Sequence, residues 1–583
     1  MCSLPGCDAR QSSGGQSTVH TYATCALTAA ALLLGVRTTH AADAAAGKTV
    51  FLQRCSTCHT AEANDGGGAQ GPPLAAIYGK PAARDSQFSY TNALRNAHLS
   101  WDADTLDRFL AAPAQLVPGT AMVTAVPQDT ERRNLIAYLQ HTGTQAAQPS
   151  AAAAASAGQA QPAARPDWED DAPGRPHHID PTTLPPPFAT PSARNRPHVV
   201  PRPPGAQLAL PPGFQVDVFA TQLLGPRRMI VAPNADVLVS ETRGGRISIL
   251  RPAAQARTAA SRFTFAENLR EPYGMAFYPD AVHPEWLYVA ETNRIDRFPY
   301  AVGDTHARGV AEVIVPELPS GGGHYTRDIV FAPDHRHLFV SVGSGSNVAQ
   351  TMPRMSAPQL AAWQGGHALG AAWDSETDRA AVLVFDAESG GAGRIFAAGI
   401  RNCVSLALQP VNEALWCTTN ERDGLGDDLV PDYSTHVRQG AFYGWPWYYI
   451  GPNEDPRHKA ERPDLAGSVT IPDVLYQAHS APLNLTFYTA TSGKSAFPAE
   501  YRGDAFVTLH GSWNRSSRTG HKLVRVRMRD GVASGEYDDF LTGFILDDGN
   551  VWGRPVATVV LPDGSLLMSD DGADLVYRIS YGQ

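Results

Sequence analysis

Apolar positions along this chain fall into three regimes. The first is a short unbroken run from Cys25 to Val36. The second, from about residue 43 to 143, has helical periodicity. There Ala44 to Arg54 predicts a helix with Gly47 and Phe51 on one face, and Thr130 to Gln140 predicts a final helix packed on the first. The third runs from about residue 208 to the end as short apolar strands broken by Pro-Asn and Pro-Asp turns. Met229 to Asn234 precedes Val237 to Glu241 and Arg246 to Leu250; Met275 to Asp280, Ile329 to Asp334, Ser405 to Pro410, Ala505 to Leu509 and Thr558 to Gly564 each open a similar unit. Six copies of a strand-turn-strand unit predict an all-β six-bladed β-propeller over residues 206–583, one four-stranded sheet per blade, with a pair of β-sandwiches as the alternative. Phe214 to Ala220, left over at the start of the domain, is the expected closing strand of the last blade. Loops from every blade then converge on one central face.

Between the second and third regimes, residues 144–205 are rich in Ala and Pro, with Ala151 to Ala155 in a row and Pro185, Pro186 and Pro187 later. Such a stretch buries too little apolar surface to offset its ordering entropy, so it reads as a linker or a strap hugging the surface. At 583 residues the chain exceeds one core, and 43% hydrophobic with 18% charged residues fits a globular protein. A net charge of −10 without a long basic run argues against a nucleic-acid partner. The Cys25–Val36 run is too short to span a bilayer. Followed by Thr39-His40-Ala41, it makes residues 1–41 a secretory signal peptide, with an uncleaved anchor as the alternative, and it predicts a periplasmic protein without an integral membrane domain. Of seven cysteines, Cys2, Cys7 and Cys25 precede Ala41 and two fall in the motif below. Cys403 and Cys417, flanking a turn at Gln409 to Glu413, are left as either a cross-strand disulfide or two buried thiols.

The helical region holds Cys55-Ser-Thr-Cys58-His59. Two thiols at that spacing add to two haem vinyl groups and place the adjacent His59 under the iron. The sixth ligand is expected from Met122, the one Met between His59 and residue 143, with His98 and His141 competing. Gly71-Pro72-Pro73-Leu74 passes its backbone by the ring, so that the Pro72 carbonyl can accept the His59 N–H. Residues 43–143 thus resemble the class I cytochrome c family, a small all-α domain carrying haem c.

On the predicted central face, Gly321-Gly-Gly-His324 precedes the third blade's inner strand, and His324 is suited to take a hydroxyl proton near neutral pH. Arg401-Asn402 and Arg554 hold the same place in later blades and would grip a polycarboxylate. Glu421 to Asp428 is a Gly-interrupted acidic loop of a kind that suits Ca²⁺. Each also reads as structural when taken alone. Together, Gly-Gly-His324, Gly399-Ile-Arg401-Asn402, Asn420 to Leu429, His479-Ser-Ala-Pro482 and Leu509-His510-Gly-Ser-Trp-Asn514 resemble the glucose/sorbosone dehydrogenase family of PQQ-dependent sugar dehydrogenases, most of all its L-sorbosone branch. The resemblance covers about residues 168–583. It implies pyrroloquinoline quinone (PQQ) and Ca²⁺ on the central face and His324 as the catalytic base. It implies Arg401, Asn402 and Arg554 as cofactor ligands, with His510, Arg227 and Tyr273 beside them, and backbone carbonyls of Asp423 and Gly424 as calcium ligands. Where the glucose enzymes carry an Asp supporting the base, this chain has Gly343-Ser344-Gly345, and Asp328 is a candidate partner by proximity only.

These readings imply a quinohaemoprotein dehydrogenase. It would oxidise a sugar or sugar aldehyde with PQQ and pass electrons to its own haem c and then to an external acceptor. The alternatives are a calcium lactonase-type propeller with an appended cytochrome, and a non-catalytic electron-carrier propeller.

Overall fold

The computed structural model describes residues 42–55, 59, 61, 71–84, 90–120, 122, 125–145, 166–252, 257–350 and 352–582; the expected signal segment, Cys58 and the Ala151–Ala155 run lie outside these. No described helix is long and apolar enough to cross a membrane.

The N-terminal domain is helical. Asp43 caps helix Ala44–Arg54 by accepting from the Ala45 and Ala46 amides. This helix crosses the closing helix Asp129–Gln145 at Gly47, where a Cβ would lie 1.9 Å from the Asn134 carbonyl oxygen, so the approach requires glycine. Phe51 and Tyr138 meet one turn along, ring centroids 5.5 Å apart. Leu106, Phe109 and Leu110 of helix Ala103–Ala111 complete the core with Trp101, Leu135 and Leu139.

The rest is a six-bladed propeller of antiparallel four-stranded sheets. Inner strands are Pro226–Val231, Met275–Tyr278, Ile329–Phe331, Cys403–Leu408, Pro482–Phe487 and Pro555–Val560. Strand Phe214–Ala220 pairs with Leu575–Tyr581, so the ring closes with the strand expected from the sequence. Apolar faces of neighbouring blades bury one another, as where Leu238 and Ile249 of the first blade meet Met275, Phe277 and Val289 of the second. Polar staples cross between neighbouring blades. Asp328 accepts from the Leu406 amide (2.8 Å), Asn484 from the Thr558 amide (2.9 Å), and Ser569 Oγ donates to the Arg227 carbonyl (2.7 Å).

The described part of the Pro-rich segment is a strap. Strand Pro176–His178 adds a fifth strand to the fifth blade, against Val532–Leu541, and His198–Val199 runs parallel to Asn550–Val551. Asp171, His177 and Asp539 draw together there like metal ligands, but the Lys522 ammonium sits 2.7 Å from both carboxylates and supplies the cation. Cys403 and Cys417 are joined by a disulfide, Cα atoms 5.8 Å apart, which resolves the alternative left open above.

Candidate functional site

Loops entering the inner strands and loops leaving the second strands meet at one end of the propeller axis. His324 arrives on the Gly321–Gly323 loop, anchored by Arg327, which donates to the His324 and Thr326 carbonyls (3.0 and 2.7 Å). The His324 Nδ1 lies 2.8 Å from the Ser344 carbonyl oxygen and 3.1 Å from the Ser344 hydroxyl. A carbonyl only accepts, so Nδ1 carries the proton and Nε2 keeps its lone pair. Nε2 has no hydrogen-bond partner among the described residues, and the ring is half-buried. Burial, aided by the Arg401 charge, pushes the His324 pKa down to about 3, so the ring is neutral at physiological pH. Asp328 is not its partner: that carboxylate is buried against Arg228 (3.3 Å) and the Leu406 amide. Ser344 takes the supporting role through its backbone. Gly343 must be glycine, since a Cβ would stand 2.4 Å from Asn402 Oδ1 and 2.6 Å from His324 Cβ.

Opposite lies a charged relay. Arg554 Nη2 donates to His510 Nδ1 (2.9 Å), His510 Nε2–H to Asp571 Oδ1 (2.9 Å), and Arg227 Nη1 to Asp571 Oδ2 (2.7 Å). Burial and the neighbouring Arg554 lower the His510 pKa to about 4, consistent with the neutral tautomer this chain of bonds requires. Burial alone would raise the Asp571 carboxyl, but His510, Arg227 and Arg554 hold it well below the usual carboxylate range. Nε of both Arg227 and Arg554 is buried without an acceptor, and Asn402 Oδ1 is buried without a donor. Two guanidinium groups with spare donors on one wall are the chemistry that grips carboxylates.

The structure brings His324, Arg227, Arg401, Asn402, His510 and Arg554 to this basin, but it redraws three expectations. Tyr273 is not a ligand: it is fully buried, its hydroxyl donates to the Leu483 carbonyl (3.1 Å), and it fills the propeller axis with Val404, Leu483 and Val556. Arg401 directs its N–H groups at the protein, to the Asn347 carbonyl (3.1 Å), Asn347 Oδ1 (2.9 Å) and the Asn420 and Glu421 carbonyls (3.1 and 2.8 Å), so it contributes charge and anchors a loop. The calcium assignment of the Asp423 carbonyl does not fit. The Asp423 carbonyl accepts from Arg457 Nη1 (2.8 Å) and Asn347 Nδ2 (3.0 Å), which fills both lone pairs and sets a cation where Ca²⁺ would bind. Asp571, Asn347, Arg457 and the carbonyl of Ser344 were missed by sequence reasoning. His479, noted only within a motif, lies 3.3 Å from the Asp423 carboxylate.

In the helical domain, His59 Nδ1 is 2.9 Å from the Pro72 carbonyl, the orientation that presents Nε2 to an iron. A Cβ on Gly71 would stand 2.3 Å from the His59 ring. Cys55 is buried, and Met122 packs against the domain core while His98 and His141 are exposed. These residues fit a haem. Arg194 of the strap lies 3.4 Å from the His59 carbonyl oxygen. A cavity of about 380 Å³ is lined by Arg54, next to Cys55, together with Met352, Arg354, Arg457, His458 and Glu461 of the propeller.

A cytochrome c family model matches residues 44–143, and a cytochrome c of Guizotia abyssinica is 35% identical over 101 residues, 17% of this chain and 90% of that protein. The calcium structure of Trichoderma reesei Carbohydrate-Active Enzymes Family AA12 superposes with a TM-score of 0.52 at 18% identity, over 67% of this chain and 99% of the other. The holo form of the pyranose dehydrogenase PQQ domain from Coprinopsis cinerea does so with a TM-score of 0.51 at 19% identity, over 65% and 98%. At these identities the two structures establish the propeller fold. The TrAA12-like family model matches residues 208–438 and 455–580, and with this match the chain, a cytochrome c domain followed by a six-bladed propeller, belongs to the TrAA12-like family.

Proposed function

We propose that this protein is a periplasmic quinohaemoprotein that oxidises a sugar or sugar aldehyde and passes the electrons to its own haem and on to an external carrier. When bound, PQQ would supply a two-electron quinone acceptor and haem c a one-electron relay. The observation that carries this reading is the pairing of His324, with a free lone pair at Nε2, with a wall of Arg227 and Arg554 that has donors to spare. A tricarboxylated quinone fits that wall. Arg227 and Arg554 would hold PQQ, with His510 orienting Arg554. His324 Nε2 would take the proton of a substrate hydroxyl, and the Ser344 carbonyl would stabilise the protonated ring through Nδ1–H. The cavity shared by Arg54 and Arg457, and the Arg194 contact to His59, support a haem close to the basin. A disulfide at Cys403–Cys417 and haem attachment through CxxCH agree with an exported protein.

The test is to add PQQ to purified haem-loaded protein and to follow the Soret band on addition of a panel of aldoses, sugar aldehydes and alcohols. Haem reduction that needs both PQQ and sugar supports the proposal. PQQ binding without sugar-driven haem reduction across the panel would refute it.

A further inference from the structure

Around Asp423 the protein has already placed its own cations. Arg457 chelates the buried Asp455 (2.8 and 2.7 Å) and with its remaining terminal nitrogen reaches the Asp423 carbonyl. Asn347 ties the same residue twice, its Nδ2 to the carbonyl and its Oδ1 to the amide (3.0 Å). The Asp423 carboxylate lies 3.5 Å from Arg401 and 3.3 Å from His479 Nδ1. His479 Nε2 lies 3.0 Å from the Gly426 carbonyl oxygen. Both ring nitrogens of this buried histidine therefore face oxygen acceptors, which only the doubly protonated imidazolium can satisfy. Three positive side chains thus converge on a single carboxylate and its backbone. Bringing a divalent ion to the Asp423 carbonyl would mean breaking the Arg457 bond and setting two more charges beside a guanidinium in a low-dielectric site, where like-charge repulsion is strong.

We propose that the Asp423–Gly424 loop is a metal-free site in which Arg457 supplies the positive charge and the loop rigidity that a calcium ion would otherwise bring, so that the quinone binds this protein without Ca²⁺. This rests on the PQQ reading above. Arg457 acts through the loop as a positioning residue, and it also lines the cavity next to Arg54.

The experiment measures PQQ binding to the intact haem-loaded protein by quenching of tryptophan fluorescence, in EGTA and in millimolar CaCl₂. The expected result is a dissociation constant that agrees within about twofold in the two buffers, and a propeller melting temperature that CaCl₂ alone leaves in place. Arg457→Ala uncovers the Asp423 carbonyl. That variant is expected to lose about tenfold or more in PQQ affinity in EGTA and to regain part of it with Ca²⁺, and Arg457→Lys covers the case in which the alanine variant does not fold. PQQ binding by the wild type in CaCl₂ only would overturn the inference and leave the quinone reading intact. Binding in neither buffer would overturn both. An Arg457→Lys or Arg457→Ala variant with unchanged affinity in EGTA would also sink it, because the loop would then owe nothing to that side chain.

Discussion

His324→Ala removes the one basin group with a free basic lone pair, while leaving the helical domain untouched. General-base catalysis of hydroxyl deprotonation contributes about 10²–10⁴ in rate, or ~3–5 kcal/mol of barrier, so sugar-driven haem reduction should fall by that factor. The dithionite-reduced haem spectrum should not change. The pH profile is a sharper test than the loss itself. An ordinary histidine titrates near 6.5, and a base with that value would lose half its competent form there. In this site the neutral ring is favoured, with a pKa lowered to about 3 by burial and Arg401. The competent form is the deprotonated one, so its fraction stays near unity as pH falls, and kcat/KM from stopped-flow haem reduction should be flat from about pH 8 to about pH 5. An acid limb near pH 6.5, or a His324→Ala variant within about tenfold of wild type, would refute the assignment of this ring as the base.

Asp570, buried beneath Arg554, has its pKa pushed up to about 7 by burial, and its Oδ1 accepts from the Arg554, Gly572 and Ala573 amides (2.9 Å each). The folded state therefore holds a proton that the unfolded chain releases above about 4, and this group's contribution to stability declines as pH rises from about 4 through 7. Asp570→Asn keeps the acceptor and should flatten that slope in melts taken across the range, whereas Asp570→Ala should cost about 2–4 kcal/mol near about pH 4 by losing three hydrogen bonds, and less as pH rises toward about 7. Replacing both Cys403 and Cys417 with serine opens a cross-link with a sequence separation of 14 residues. It should lower propeller stability by about 3 kcal/mol in guanidinium titrations. Gly71→Ala would place a methyl group 2.4 Å from His59 Nδ1 and displace the Pro72 bond. It should change the ferric visible spectrum and the haem reduction potential while the thioethers keep the haem attached, and an unchanged potential would count against this orientation of His59.

The blades were legible because their signal is local: an apolar strand, a turn and a second strand fit within about twenty residues, and the motif recurs. Even the closing strand could be named, since Phe214 to Ala220 had no partner nearby. His324 was found through its glycines, but its partner was not, because a backbone carbonyl leaves no residue type to read. Asp328, the candidate by proximity, is engaged by Arg228 and the Leu406 amide, and the Ser344 carbonyl faces the ring instead. Tyr273 stands at the same repeat position as Arg227, yet neighbouring Gly274, where a Cβ would lie 2.6 Å from the Arg327 carbonyl oxygen, lets the second and third blades close tightly and keeps the tyrosine at the axis. Arg457 and Asp571 gave no signal in advance. Arg457 lies 34 residues from Asp423, and Asp571 lies 344 residues from Arg227. Pairings of that kind are set by ring geometry and not by sequence spacing.

The longest of those pairings ties the site to closure of the ring. Arg227 enters the first blade and Asp571 leaves the second strand of the last, so their bond spans the seam. The same seam holds the Ser569 bond to the Arg227 carbonyl, the Gly225 amide on Asp574 Oδ1 (2.9 Å) and strand Phe214–Ala220 itself. The carboxylate-gripping wall therefore exists only when first and last blades are joined, and a ligand held by both Arg227 and Arg554 binds the closed ring in preference to any opened form. By mass action, PQQ at about a hundredfold over its dissociation constant should stabilise the closed propeller by about 2.7 kcal/mol. Calorimetry should show the propeller transition move up while the cytochrome transition stays in place. Asp571→Ala, which cuts the relay at its centre, should abolish most of that gain without opening the sheet, because the strand pairing of Phe214–Ala220 with Leu575–Tyr581 remains. A PQQ-induced shift that survives Asp571→Ala at full size would mean that the quinone sits elsewhere than across the seam.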